Sequence, residues 1–503
     1  MSLSPQCRKC RQRRVRCDSR QPACAKCVQK GVACPGYSTS RPLRWQHYLP
    51  RETIQARSAP KALNMANLYT RNDDVAPGEV VADVIAYYNS KLAPDLSVFE
   101  RNGFGITMAA WLASEKTDRH LQICIVTLHK ALQQQTTWPP ALNSPSSAYG
   151  GAKKYLDLFH HHQASAARLL QDQIISLHGN KAKFNETVLA SIGLFLSLQI
   201  QESAYGAWRT HLHGAKSMLD LWRGGDSLPG SDELLYFHLM IVDIYGTTTS
   251  ALDKPCPKSV SQHQTYLSWL SQLQFDSCNS LTPVPWEILR ATIFINILRA
   301  AGQAQCRVDG GEGIEMSADE ILLLIQAFDP LSWAEEVTLK HETPASTSTN
   351  PHHDTHMEGW ASLAACFQSA TILYLILSVN PALHSLEPEK WNDARDSTYI
   401  SLVVSIQFLF TQRSDQGKWH KYIFWPMVIA GVEAAVRGDG AFFGYLTKHL
   451  RMLTADLGTM AMSEAGCFLE NFWEECMRTG PGLDGRVKVN WDWTFTPGPI
   501  FLM

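Results

Sequence analysis

Six of the chain's thirteen cysteines lie within its first 34 residues, and they obey one spacing rule twice. The chain reads Cys7-x2-Cys10-x6-Cys17 and then Cys24-x2-Cys27-x6-Cys34, so the second triplet repeats the first without an offset. Three readings compete for these thiols. A disulfide framework belongs to secreted domains, and residues 1–30 contain no apolar signal-peptide core but open on an arginine-rich run. In a reducing compartment, thiols paired at Cys-x2-Cys spacing point to a metal. Chance clustering is disfavoured because the spacing occurs twice. Zinc is the expected ion, since tetrahedral all-thiolate sites suit it and it brings no redox chemistry.

Stoichiometry narrows the arrangement. One zinc would leave two of six thiolates idle, whereas two zincs need eight ligand places, so two sulfurs must bridge. The repeat makes the natural bridging pair Cys7 and Cys24. Cys10 and Cys17 would then complete the first site, and Cys27 and Cys34 the second. Pro22, between the halves, fits a fixed turn.

This pattern, with basic residues between the second and third cysteines, Asp18 after the third and Pro22 before the fourth, resembles the DNA-binding domain of the fungal zinc binuclear cluster transcription factors. The stretch "PGYSTSRPLRW" after Cys34 is also similar to members with a Pro-Gly-Tyr turn and a basic-aromatic tail. The resemblance implies the bridged two-zinc cluster, two short helices around the metals, and a nuclear protein that regulates RNA polymerase II transcription.

Charge is divided along the chain. Residues 1–45 carry eleven Lys or Arg against Asp18 alone, while the remainder carries thirty-four basic and forty-six acidic residues. The whole-chain net charge of −2 conceals this cationic head, whose charge is an electrostatic footprint for phosphates.

The halves of the repeat are unequal. "RQRRVR" separates Cys10 from Cys17, but "VQKGVA" separates Cys27 from Cys34, so the first half is expected to face double-stranded DNA and the second to act as scaffold. Arginine suits bidentate contact with guanine O6 and N7. By the resemblance, Arg13 and Arg14, three and four positions beyond the second cysteine, read a CGG-like triplet. Arg14 stands where the family commonly has lysine. Arg8, Lys9, Arg11 and Arg16 are assigned to phosphate contacts, which position the protein without specifying sequence. The bland alternative for this run is a solvated surface or an import signal.

Residues 46–78 read as a polar, Pro-containing linker after a 1–45 DNA-binding domain. Leu49, Ile54, Leu63 and Leu68 keep no heptad register, and Pro50 and Pro60 interrupt any helix there. Monomeric binding and a homodimer paired through the large domain are therefore the two open readings.

From residue 79 to 503 the apolar pattern is helical nearly throughout, and the expected class is a large all-α regulatory domain. The runs 188–200, 291–301, 362–379 and 424–436 are bounded by polar or Gly/Pro residues. Each is interrupted by polar residues before a membrane-spanning length, so they read as core helices and no membrane partner is expected. "WRTHLHGAKSML" (208–219) and "FWPMVIAGVEA" (424–434) resemble signatures of the helical regulatory domain of these fungal regulators.

Other features invite chemistry without completing it. His211 and Glu433 lack a partner base or nucleophile at a meaningful spacing, and helical spacing of Trp208, Leu212, Ala215 and Leu219 puts His211 near a packed face. His160–His162 and the "HHDTH" of 352–356 are expected to bind metal adventitiously at most, the latter within a Ser/Thr/Pro-rich loop. The remaining cysteines read as buried small hydrophobes. The C-terminal "VNWDWTFTPGPIFLM" reads either as an interaction tail or as a strand or coil packed on the domain. No catalytic residue is assigned. The expectation is a zinc-dependent transcription factor acting with double-stranded DNA and the transcription machinery or coregulators; an enzyme or protein-binding scaffold carrying a zinc-cluster head is the alternative.

Overall fold

The computed structural model describes residues 10, 17–18, 24–30, 32, 34, 78–93, 106–134, 150–178, 186–205, 208–222, 233–252, 256–272, 283–301, 316–341, 351–380, 388–411, 419–480 and 490–495. The chain divides into two compact units, Met1–Leu68 and Tyr69–Met503. In the first, Cys10 is helical and Ala25–Gln29 forms a short helix, α1.

The second unit is a succession of helices, and none of its described residues is in a strand. Its first part comprises α2 (Gly78–Tyr87, continued by a π turn to Leu92), α3 (Met108–Ala113), α4 (Lys116–Gln133), α5 (Gly150–His178), α6 (Glu186–Glu202), α7 (Trp208–Trp222) and α8 (Glu233–Thr248). The second comprises α9 (Pro257–Leu270), α10 (Trp286–Ala301), α11 (Ala318–Gln326), α12 (Pro330–His341), α13 (Pro351–Val379), α14 (Pro388–Thr411), a 3-10 turn at Trp419–Tyr422, α15 (Phe424–Arg437), α16 (Gly440–Leu457), α17 (Met460–Thr479) and α18 (Trp491–Thr494).

All four apolar runs are helical, within α6, α10, α13 and α15. Residues 424–436 of α15 are buried without exception, so each Val or Ile there contributes roughly 1.5–3 kcal/mol of transfer free energy. Pro426 is tolerated because it sits in the first turn, where its missing N–H breaks no helical bond. Helix α8 is apolar on two opposite sides, and for a topological reason. Phe237, Met240, Ile241 and Ile244 pack into the large core built from α9–α17, while Tyr236, Leu239 and Val242 pack into a second core with α4–α7. A helix between two cores has no solvent face to mark with charge.

The 357–379 part of α13 is, among the described residues, the one stretch long and apolar enough to cross a membrane, and 83% of its apolar window is buried inside the large core. This helix also starts earlier than the sequence suggests. Residues 351–356 are its first turns rather than a loop, with Pro351 at the first helical position, where its fixed φ is pre-organised. The side chains of His352 and His356 lie outside the described residues.

Two sharp corners order the last three long helices. Gly438 (φ 69°) closes α15 in the left-handed conformation, and the Asp439 carboxylate then accepts from the Phe442 amide at 3.1 Å to cap α16. Gly458 (φ 63°) closes α16. A Cβ at Gly458 would lie 2.1 Å from His129 Cδ2, so a side chain here would push α4 away from this corner.

Candidate metal centre

The second cysteine triplet is organised by α1. Cys24 is its N-cap in extended conformation (φ −70°, ψ 146°), and the Cys24 carbonyl accepts from the amides of Cys27 (3.0 Å) and Val28 (3.2 Å). One helical turn separates Cys24 from Cys27, so the Cys-x2-Cys spacing sets both sulfurs on one side. Beyond the helix, the amides of Lys30 and Val32 donate to the Cys27 carbonyl at 3.2 and 3.1 Å, turning the chain back toward Cys34.

The sulfurs form two overlapping groups. Those of Cys10, Cys17 and Cys24 lie within 4.8 Å of one another, and so do those of Cys24, Cys27 and Cys34. Cys24 belongs to both. Its Sγ is 3.5 Å from that of Cys10, too long for a disulfide between these two. Cys10, Cys24 and Cys27 are fully buried, with Cys17 and Cys34 packed against them, and these cysteines make up the buried cluster among the described residues of this unit. Two thiolates on one tetrahedral zinc stand about 3.8 Å apart, given Zn–S bonds of about 2.3 Å. The donor set therefore fits the ion, and the sharing of Cys24 fits a bridging sulfur.

Asp18 supplies a feature that the cysteine spacing does not reveal. Its carboxylate oxygens accept from the Ala25 amide at 3.1 and 3.2 Å, tying the end of the first cysteine triplet to the start of α1. A carboxylate at a helix N-terminus satisfies an otherwise orphaned N–H and complements the helix dipole. An acidic residue lone among eleven basic ones was the available signal. Cys7, the basic residues Arg8, Lys9, Arg11, Arg13, Arg14 and Arg16, and residues 46–77 of the linker lie outside the described residues.

In the helical unit, His211, Glu433 and His162 sit among packed neighbours. His211 is buried with its ring edge-on to Phe195 at 4.8 Å, and burial lowers its pKa to about 4. Glu433 is enclosed by Arg395 and Arg437. His162 meets His120 with Nδ1 atoms 2.7 Å apart, one ring donating to the other, while both pKa values fall to about 4, chiefly through burial. Of the scattered cysteines, Cys124, Cys366 and Cys476 are buried as expected and Cys256 is half-buried. Cys467 departs from the expectation: it is exposed on the outer side of α17.

A buried polar chain joins five helices. Nδ1 of His263 donates to the Ser259 carbonyl (2.8 Å), leaving Nε2 to accept from Asn296 Nδ2 (3.0 Å). Tyr374 donates to Asn296 Oδ1 (2.7 Å) and accepts from Arg299 Nη1 (2.6 Å). Arg299 Nη2 then reaches Asp492 Oδ1 at 2.5 Å, and Trp491 beside it donates to the Thr248 carbonyl at 2.7 Å. Of the C-terminal stretch, the described residues 490–495 are packed on the domain, as a short helix instead of a strand or coil. Beyond the His263–Ser259 bond within α9, each link joins two elements, an arrangement that fixes helices.

Residues 6–44 match the family model described as "Fungal Zn(2)-Cys(6) binuclear cluster domain", and residues 84–496 match "Fungal specific transcription factor domain". The chain is 26% identical over 487 residues, covering 93% of itself and 85% of the relative, to the phomenoic acid biosynthesis cluster-specific transcriptional regulator of Leptosphaeria maculans. No solved structure matches it. With a zinc-binding cysteine head and a helical domain matched over most of its length, the chain belongs to the fungal-specific transcription factor family and is a zinc-cluster, DNA-binding transcription regulator, not an enzyme.

Proposed function

We propose that this chain is a nuclear regulator of RNA polymerase II transcription that holds two zinc ions and reads CGG-like triplets in double-stranded DNA. Cys7 and Cys24 bridge the metals, Cys10 and Cys17 complete one site, and Cys27 and Cys34 complete the other. The observation that carries this reading is the membership of Cys24 in both sulfur groups, the sharing that six thiolates on two tetrahedral ions require. Zinc supplies the folding free energy of the head rather than a reaction. Arg13 and Arg14 read guanines, and Arg8, Lys9, Arg11 and Arg16 grip phosphates.

Residues 1–45 form the DNA-binding domain, 46–78 the linker, and 79–503 the regulatory domain, which couples the head to the transcription machinery or coregulators and supports a homodimer. The Leptosphaeria relative is named for a biosynthesis cluster, which supports a gene cluster as the target here. The test uses the full-length protein: zinc by elemental analysis, and selection of bound sites from random duplexes at physiological salt. Two zincs per chain and an enriched CGG-like triplet are expected. A single zinc, or sequence-blind binding that salt abolishes, refutes the reading.

A further inference from the structure

Helices α8, α10 and α13 share a polar seam inside the large core. Tyr245 stands on α8, Thr292 and Arg299 on one face of α10, and Thr371, Tyr374 and Ser378 on one face of α13. None of the six is more than 8% exposed. Ring contacts and bonds show that these faces meet. Tyr245 lies edge-on to Phe367, one turn before Thr371, with centroids 6.3 Å apart. Arg299 Nη1 donates at 2.6 Å to Tyr374, one turn before Ser378.

Four polar atoms of the seam have no hydrogen-bond partner: Tyr245 Oη, Thr371 Oγ1, Arg299 Nε and Ser378 Oγ. Tyr245 lies beside Thr292 and Ser378 beside Tyr374, yet neither pair closes a bond. Their neighbours keep accepting capacity. Thr292 gives its proton to the Ile288 carbonyl at 2.9 Å, and Tyr374 gives its own to Asn296 Oδ1 at 2.7 Å, so lone pairs remain on both oxygens. A buried hydroxyl or guanidinium N–H left dry carries its full desolvation cost, and protein interiors meet that need with a side chain, a carbonyl or ordered water. Polar neighbours that stop short of a direct bond are the setting for a bridging water. An internal water makes about three hydrogen bonds, and the seam offers two groups of three polar side chains.

We propose that this seam binds internal water at two places, one molecule among Tyr245, Thr292 and Thr371 and one among Arg299, Tyr374 and Ser378. The first donates to Thr292 Oγ1 and bridges the hydroxyls of Tyr245 and Thr371. The second accepts from Arg299 Nε and bridges to the hydroxyls of Tyr374 and Ser378, so that every nitrogen of the buried guanidinium is bonded. Water thereby ties α8, α10 and α13 together where no side chain spans the gap. The inference stands apart from the zinc and DNA readings.

Oxygen-17 relaxation dispersion of water in solutions of the full-length protein tests this, because its amplitude counts water molecules held longer than the protein takes to tumble. Tyr245→Phe combined with Thr371→Val removes two of the three partners at the first place while keeping side-chain shape, and Ser378→Val fills the second. Each change should lower the amplitude by the share of one water molecule, and all three substitutions together by two. The Tyr245→Phe/Thr371→Val protein should also unfold at a lower urea midpoint, since it loses a bridged water. Should Ser378→Val fail to fold, Ser378→Ala gives the same readout by deleting the hydroxyl. Amplitudes equal to that of the wild type would overturn the proposal. So would a urea midpoint for Tyr245→Phe/Thr371→Val at or above that of the wild type, the result expected when dry, orphaned hydroxyls are removed.

Discussion

Arg395 and Glu433 meet as two planar groups, Nε on Oε1 at 2.8 Å and Nη2 on Oε2 at 2.7 Å, with the carboxylate fully buried. Arg437, one turn beyond Glu433 on α15, adds a second guanidinium to Oε1 at 2.7 Å. Three charge-assisted hydrogen bonds from two cations hold this one buried anion, which makes Glu433 a clamp between α14 and α15. Glu433→Ala strands both arginines and should cost about 3–5 kcal/mol, measured as a lower urea midpoint. Glu433→Gln keeps the shape but loses the charge and should fall between. A neutral Ala variant would show the clamp to be solvated.

The buried histidines make the helical domain acid-sensitive. Burial holds His120, His162 and His211 at about 4 in the folded state, against an ordinary value of 6.5. Between these values the unfolded chain binds more protons than the folded one, so stability is complete above pH 6.5 and falls as pH drops toward 4. Asp243 adds a loss at lower pH. Burial alone would raise its carboxyl, but the Lys216 ammonium at 2.6 Å holds it below the ordinary range, and that contribution disappears as the acid protonates. The melting temperature should therefore decline from pH 7 to 5, and His211→Gln should flatten the decline. A flat profile through pH 5 would refute the assignment.

Legibility followed the range of the interaction. The cysteine head could be read because ligand spacing is local, and α15 because a run of thirteen residues broken only by Glu433 and closed by Arg437 and Gly438 has few other destinies. The first turns of α13 could not. Their Pro, His and Asp residues have loop composition, and what makes them helical is the long apolar helix that follows. The contact of Asp18 with Ala25 spans seven residues and was within reach, whereas Arg299 and Asp492 are 193 apart and share no pattern that periodicity detects.

Cys24 and Asp18 should separate metal loss from helix fraying. Cys24→Ala removes a sulfur from both groups and should empty the head of zinc and abolish DNA binding. Asp18→Ala removes only the carboxylate on the Ala25 amide, costing about 1 kcal/mol, so zinc stays bound but yields to a lower chelator concentration. Zinc content with chelator titration reads both. A zinc-loaded Cys24→Ala protein would place the shared ligand elsewhere.

The basic residues divide by what salt and sequence changes do to them. Arg14→Ala should cost about 1–3 kcal/mol at one base and relax specificity there. Arg11→Ala should weaken binding on every sequence alike and lower the slope of log affinity against log salt by about 1. Fluorescence anisotropy on matched and mutated duplexes across a salt series distinguishes them. An unchanged motif for Arg14→Ala would move base reading to another residue.

The C-terminal helix holds its place by charge as much as by its aromatic rings. Arg299 is nearly inaccessible, its side chain 2% exposed, and besides Asp492 it reaches only uncharged acceptors: Tyr374 and the carbonyls of Thr247, Thr248 and Ser250. Asp492 Oδ1 also accepts from the Leu252 amide at 3.0 Å, so one oxygen joins α18 to both α10 and the end of α8. Asp492→Ala leaves a buried guanidinium without its counter-charge and should destabilise the domain by about 3–5 kcal/mol. Replacing both partners, Arg299→Met with Asp492→Leu, removes the uncompensated charge and should recover much of that loss. Urea denaturation of the two single variants and the double variant closes the cycle. A double variant no more stable than Asp492→Ala would mean that Arg299 holds Thr247, Thr248 and Ser250 in place by itself, with the carboxylate a minor addition.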